Sequence, residues 1–169
     1  MAEQEAQRLR DLETREPSFY EWIYAQWNRW KTRATEGQVV VRGREIGFQQ
    51  GRQGRSKYFL HPLRGELVTH DWLVFMQDIR THSGLHRHQG GLAIYVVEGK
   101  GWTTVDGVRH DWEQGDLILL PVKPLGVEHQ HFNAAPGTPC RWLAIIYLPF
   151  IESMSSELQQ KEIHPEYAG

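Results

Sequence analysis

From Glu66 onward the chain is a succession of short β-type runs broken by turn signals about every ten residues. Residues 67–69, 73–76, 92–97, 117–120 and 142–148 each carry the apolar or β-branched content of a strand, and none is long enough for a core helix. In TTVDGVRHDW, Asp106-Gly107 stands between two strand-like segments, which predicts a tight hairpin. Residues 92–97 are apolar throughout, which predicts a strand covered on both faces. This rhythm predicts an all-β fold, a barrel or sandwich.

The residues before this region differ in kind. Phe19, Ile23, Trp27 and Trp30 recur on one helical face between Pro17-Ser18, a plausible helix start, and Gly37, a stop. Such a helix either covers the outside of a sheet or serves as a dimer contact, and residues 1–16 read as a looser helical extension. Residues 38–65 carry Arg42, Arg44, Arg52, Arg55, Lys57 and Arg64 against Glu45 alone. That basic segment is either solvated surface or a means of drawing in an anionic small molecule. The organisation read from these patterns is a helical extension over 1–37, a β-barrel over 38–151 and a polar tail over 152–169 with a short helix through Leu158.

Composition narrows the functional classes. A net charge of −2 gives no general attraction to nucleic acid or membrane, and no apolar run has the length of a membrane span. The opening MAEQEAQRLRDLETRE is polar, unlike a secretory signal, and Cys140 is the single cysteine, so no intrachain disulfide can form. These features predict a cytoplasmic protein, and the aromatic N-terminal helix predicts a homo-oligomer, a dimer or higher.

The segment HRHQGGLAIYVVEG carries the chemistry. On a strand, His86 and His88 project to the same face, and in GVEHQHFN the pair His129 and His131 does the same. A histidine pair and a later histidine on a β scaffold is a metal signal. Barrels also carry hydrogen-bonded histidines with no metal, so spacing alone leaves both readings open. His61, His70, His82, His110 and His164 lack ligand spacing and read as surface or turn residues.

At this point the motifs resemble the cupin superfamily. Gly84, His86, His88, Glu98 and Gly99 match its first motif, and Gly115, Asp116, Pro121, Gly126, His129 and Asn133 match its second. Leu92 stands where many members carry a carboxylate. Within the superfamily this is similar to the gentisate 1,2-dioxygenase type, which has an HRH segment, an apolar residue in place of the glutamate and a later HxHxN. The resemblance implies a jelly-roll (double-stranded β-helix) barrel with an N-terminal helix. It further implies His86, His88 and His129 as metal ligands with His131 just outside them, and Fe(II) as the metal. Imidazole donors also suit manganese, nickel or zinc. Members of that type are usually longer, with two such domains per chain.

A missing carboxylate has chemical use. Three neutral imidazoles leave the full charge of a divalent ion for an anionic oxygen chelate to neutralise. The leading expectation is therefore a mononuclear non-haem iron dioxygenase that takes a small oxygen-bearing, aromatic substrate, a hydroxy acid or diol, together with O2. Two other readings are an oxygen-independent metal-dependent lyase, isomerase or hydrolase, and a non-catalytic ligand-binding protein. Three further residues are candidates for the reaction. Arg80 shares the parity of His86 and His88 and could hold a substrate carboxylate. Gln89 could hydrogen-bond a substrate. His131 either moves protons to a substrate oxygen or orients His129. Asn133 is expected to fix a turn, and Glu98 to end a strand away from the metal.

Overall fold

A computed structural model of the chain describes residues 1–13 and 18–169. Pro17, the expected helix start, lies outside the described residues. The chain divides into two compact units, one of residues 1–39 with 66–69 and one of residues 40–65 with 70–169.

The first unit holds helices α1 (Ala2–Glu13) and α2 (Phe19–Glu36). Ser18 caps α2 by accepting a hydrogen bond from the Glu21 amide, which satisfies one of the helix's orphan donors. Gly37 ends it, its amide donating to Arg33 O while its own backbone is extended. Beyond it, Gln38 and Leu67 make a parallel bridge in which Gln38 N donates to Glu66 O and Val68 N to Gln38 O. The aromatic face expected to be covered is exposed: α2 buries none of its residues, and Phe19, Trp22, Trp27 and Trp30 are about half exposed or more. These rings pair along the helix instead, with Phe19 stacked on Trp22 and Tyr24 edge-on to Trp27.

The second unit is the β fold. Its strands are β1 (Gln49–Gly51), β2 (Gly54–Leu60), β3 (Trp72–Asp78), β4 (Leu85–His88), β5 (Leu92–Glu98), β6 (Lys100–Val105), β7 (Val108–Glu113), β8 (Leu117–Leu120), β9 (Val127–Asn133), β10 (Arg141–Tyr147) and β11 (Gln159–Glu162). A short helix α3 (Leu148–Ser153) follows β10. All strand pairings are antiparallel, in two sheets ordered β1-β2-β3-β10-β5-β8 and β11-β4-β9-β6-β7. Leu92, Ile94 and Val96 of β5 pack with Ile118 and Leu120 of β8, and with Trp142 and Ala144 of β10, in the core.

Several expectations fare differently here. The Asp106-Gly107 turn is a two-residue hairpin with both residues at positive φ, 49° and 83°, joining Val105 to Val108. Strand β5 is not covered on both faces: Leu92, Ile94 and Val96 are buried while Tyr95 is exposed, because its sheet presents an outer face on which Leu117 and Leu119 also stand. The residues expected as a polar tail supply β11, which pairs with β4, so this segment belongs to the sheet that carries His86 and His88. His164, read as a surface or turn residue, is buried just before a turn; it accepts hydrogen bonds at Nδ1 from the Glu166 amide and the Gln50 side chain.

The basic segment is largely consumed by structure. Arg55 donates to Asp78 Oδ2 at 2.6 Å, and Arg141 donates to Asp78 Oδ1 at 3.1 Å and to Glu98 Oε2 at 3.1 Å. Lys57 Nζ donates to Gly43 O and Arg64 to Phe59 O, while the Arg55 guanidinium also stands 4.4 Å over the Phe48 ring. Its cations neutralise neighbours, and none of its Arg or Lys side chains lines the cavity between the sheets.

Candidate metal centre

The two histidine segments meet because β4 pairs with β9 in a register that sets His86 directly opposite His129. Alternation then puts His88 on the same inner face as His86, and His131 on that of His129. One donor atom each of His86, His88 and His129 lies within 4.8 Å of the others. Gly90 lets the chain leave β4 at this point, since a Cβ there would stand 2.0 Å from Pro121 O.

Backbone carbonyls fix the tautomers of these three rings. His86 Nδ1 donates to Gly84 O at 3.1 Å, His88 Nδ1 to Gln89 O at 2.6 Å and His129 Nδ1 to Val127 O at 3.2 Å. With the proton on Nδ1, each Nε2 keeps its lone pair. Burial, and after it the neighbouring imidazoles, hold His86 down to about 4 and His129 well below the usual histidine range. His88 is lowered as well, chiefly by burial. All three are therefore neutral donors at neutral pH, and such a donor set fits a divalent transition ion.

The cluster opens into a cavity of about 250 Å³ between the sheets. Leu73, Phe75, Leu92, Ile94, Ala144 and Ile146 form much of its wall, and the polar groups on it are neutral amides, hydroxyls, imidazoles and indole, with no Arg, Lys, Asp or Glu. Leu92, buried at the start of β5, occupies wall where the expected carboxylate would have stood.

The remaining candidates separate. His131 lines the cavity and is 1 % exposed. It makes no hydrogen bond to His129, whose Nδ1 is committed to Val127 O, and its own Nδ1 meets Thr103 Oγ1 at 2.8 Å. Arg80 is not at the cavity. Its side chain is 56 % exposed and ion-pairs with Glu166 at 3.7 Å, because the chain bends at Arg80 and Thr81 after β3 and the strand parity inferred from sequence does not carry across it. Replacing Arg80 with Met should therefore change the apparent affinity for any cavity ligand by less than about twofold, the size of a surface ion pair; a tenfold loss in a binding titration would return Arg80 to the site. Gln89 also turns away. Its Nε2 donates to Lys123 O and its Oε1 accepts from Gly90 N and Lys123 N, fastening the turn beside His88. Asn133 fixes a turn as expected, donating to Ile79 O and Thr138 O and accepting from Ala135 N, and Glu98 is held by Arg141.

Sequence reasoning missed Gln53, Gln77, Ser156 and Leu158, which also line the cavity. Ser156 Oγ accepts from the Gln89 amide and so ties the segment after α3 to the end of β4. No local signal marks these residues: Gln53 lies in the turn between β1 and β2, Gln77 on β3, and Ser156 and Leu158 on the approach to β11, which is recruited by pairing with β4. Thr103 is opposite His131 through the pairing of β6 with β9, which the Asp106-Gly107 hairpin, joining β6 to β7, does not determine.

Comparison with known proteins agrees with this geometry. Residues 73–146 match the family described as Cupin domain. A gentisate 1,2-dioxygenase of Ralstonia sp is 38% identical over 72 residues, which are 42% of this chain and 19% of the relative. Among solved structures, the salicylate 1,2-dioxygenase of Pseudoaminobacter salicylatoxidans in its adduct with gentisate superposes with a TM-score of 0.53 at 17% identity, over 92% of this chain and 51% of that one. A polyketide cyclase of Streptomyces resistomycificus superposes with a TM-score of 0.55 at 16% identity, over 76% of this chain and 89% of that one. These likenesses establish the jelly-roll fold, and the chain spans under a fifth of the length of the curated dioxygenase it matches.

Proposed function

We propose, for a chain whose residues 73–146 match the Cupin domain family, a mononuclear non-haem iron(II) dioxygenase acting on a small, oxygen-bearing, aromatic substrate. The observation that carries this reading is the set of three carbonyl-anchored imidazoles, His86, His88 and His129, which line one apolar cavity with a donor atom of each within 4.8 Å of the others. Similarity to a gentisate 1,2-dioxygenase over 72 residues supports iron and oxygen over other metal chemistry.

Iron(II) held there supplies Lewis acidity toward substrate oxygens and one-electron chemistry toward O2. The chain's own residues do the rest. The three neutral imidazoles bring no negative charge, so an anionic oxygen chelate is the partner they leave room for. Leu92, Ile94, Phe75 and Ile146 exclude water and offer a surface on which a flat ring can lie. His131, neutral and buried to the point that its pKa falls to about 3, contributes an imidazole that stays uncharged at working pH.

The test is elemental analysis of protein purified without oxygen, paired with oxygen uptake against gentisate, salicylate, catechols, hydroxynaphthoate and β-diketones. Iron near one per chain with uptake on any of these supports the dioxygenase. Zinc, nickel or manganese with no uptake overturns it in favour of Lewis-acid chemistry at the same histidines. Leu92→Glu should retain metal but lower oxygen uptake by roughly tenfold or more, about 1.4 kcal/mol in the barrier, because a carboxylate takes up charge and space that a substrate oxygen needs. Undiminished uptake in Leu92→Glu would show that the apolar residue is incidental.

A further inference from the structure

His131 differs from its three neighbours in a way that decides what it can do. Trp112 Nε1, which can only donate, gives its hydrogen bond to Thr103 Oγ1 at 2.9 Å. Thr103 Oγ1 lies 2.8 Å from His131 Nδ1, and all three side chains are buried. Trp112 takes one of the two oxygen lone pairs, and the Thr103 hydroxyl has no other acceptor among the described residues, so its proton is satisfied only by giving it to Nδ1. His131 then carries its own proton on Nε2, the reverse of the arrangement in His86, His88 and His129. Its Nε2 has no lone pair for a metal and is a hydrogen-bond donor.

Beside it stands a second unused donor. Trp142 is 3 % exposed, lines the cavity, and its ring centroid is 4.8 Å from that of His131. Its Nε1–H has no partner among the described residues. A buried indole N–H normally finds an acceptor. Gln53 supplies the complement. Its Nε2 donates to Gln160 Oε1, an orientation fixed because Gln160 Nε2 is spent on Leu85 O and Glu162 O, and Gln53 Oε1 is a buried acceptor without a partner. No cationic side chain lines this cavity.

We propose that the cavity wall beside the three-histidine cluster is a neutral hydrogen-bonding subsite, in which His131 Nε2–H and Trp142 Nε1–H hold an uncharged, carbonyl-type oxygen of the substrate. Thr103 and Trp112 are the positioning residues that fix the first donor. The subsite rests on the reading of the cluster as a metal centre for an oxygen chelate, and it narrows the substrate class. The ligand carries its negative charge on the chelating oxygens, and the rest of it is neutral, with a further oxygen for the two N–H groups and a hydroxyl or N–H for Gln53. A second, free carboxylate would be buried here without a counter-charge.

Two measurements test this. In the metal-free protein, nitrogen NMR of His131 should show an unprotonated Nδ1 and a protonated Nε2, retained in Thr103→Ser and lost as a fixed pattern in Thr103→Val; a proton on Nδ1 in the unaltered protein overturns the assignment. In iron(II)-loaded protein kept free of oxygen, calorimetry should rank 3,4-dihydroxybenzaldehyde about tenfold tighter than catechol, and 3,4-dihydroxybenzoate weaker than catechol. Trp142→Phe should weaken aldehyde binding about tenfold more than it weakens catechol binding, which removes the preference for the aldehyde. A carboxylate bound as tightly as the aldehyde, or equal losses for aldehyde and catechol in Trp142→Phe, would overturn the subsite alone. Failure of all three probes to bind protein with a full complement of iron would overturn the chelate reading on which it rests.

Discussion

His129→Ala should strip the protein of tightly held metal while leaving both sheets folded. His129 sits on β9 directly opposite His86, so it is the ring that joins the two histidine segments across the sheet. Its removal leaves two donors from β4 and an open wall of apolar side chains. Losing a ligand should weaken metal binding by more than the roughly 10–100-fold that follows loss of a mere supporting partner. The sheet should survive because the backbone pairing of β4 with β9 does not depend on the ring, whose Nδ1 bonds only to Val127 O two residues away. Metal per chain after extensive dialysis, read beside the far-ultraviolet circular dichroism, checks both halves. Full occupancy in His129→Ala with an unchanged spectrum would remove His129 from the ligand set.

Acid should destabilise the metal-free protein well before its carboxylates are titrated. Burial is the largest cause by which His86 is lowered to about 4 and His131 to about 3, against 6.5 for a free histidine. Between these values and 6.5 the unfolded chain binds more protons than the folded one, so stability rises with pH across this window and is lost as pH falls through it. At pH 5 each of these two histidines opposes folding by about 2 kcal/mol relative to pH 7, at 1.36 kcal/mol per pKa unit. His129 and His88, lowered by the same cause, act in the same direction. Urea unfolding of metal-free protein at pH 7 and pH 5 should therefore give a clearly lower midpoint at pH 5. Equal midpoints would mean that the buried rings accept protons in the folded state.

How much of this was legible in the sequence depends on the range over which each feature is determined. The Asp106-Gly107 hairpin, the Ser18 cap and the inward parity of His86 with His88 are set by residues within a few positions of one another, and they read correctly. Arg80 failed because parity holds only along an unbroken strand, and the chain bends between β3 and β4. Gln89 failed because its side chain found backbone groups at Lys123, on a loop distant in sequence. Strand β5 looked fully buried since an apolar run does not say whether its sheet is covered on the outside, and Tyr95 is not. The role of Thr103 and Trp112 was invisible for a related reason: it requires three side chains on β6, β7 and β9 to come into register, and neither residue type marks a site by itself.

The strand that carries His86 and His88 has a further consequence for how the protein matures. As the polypeptide emerges from a ribosome, β4 appears long before β9, and its other neighbour, β11, later still. Until β9 has paired, the third imidazole is absent and neither edge of β4 is satisfied, so the nascent chain offers only a weak pair of donors. Ion capture is consequently an event of the finished fold. An ion held by these three rings would therefore be taken up by the folded sheet rather than wrapped by the emerging chain, and metal supplied after synthesis should load the purified protein without unfolding it.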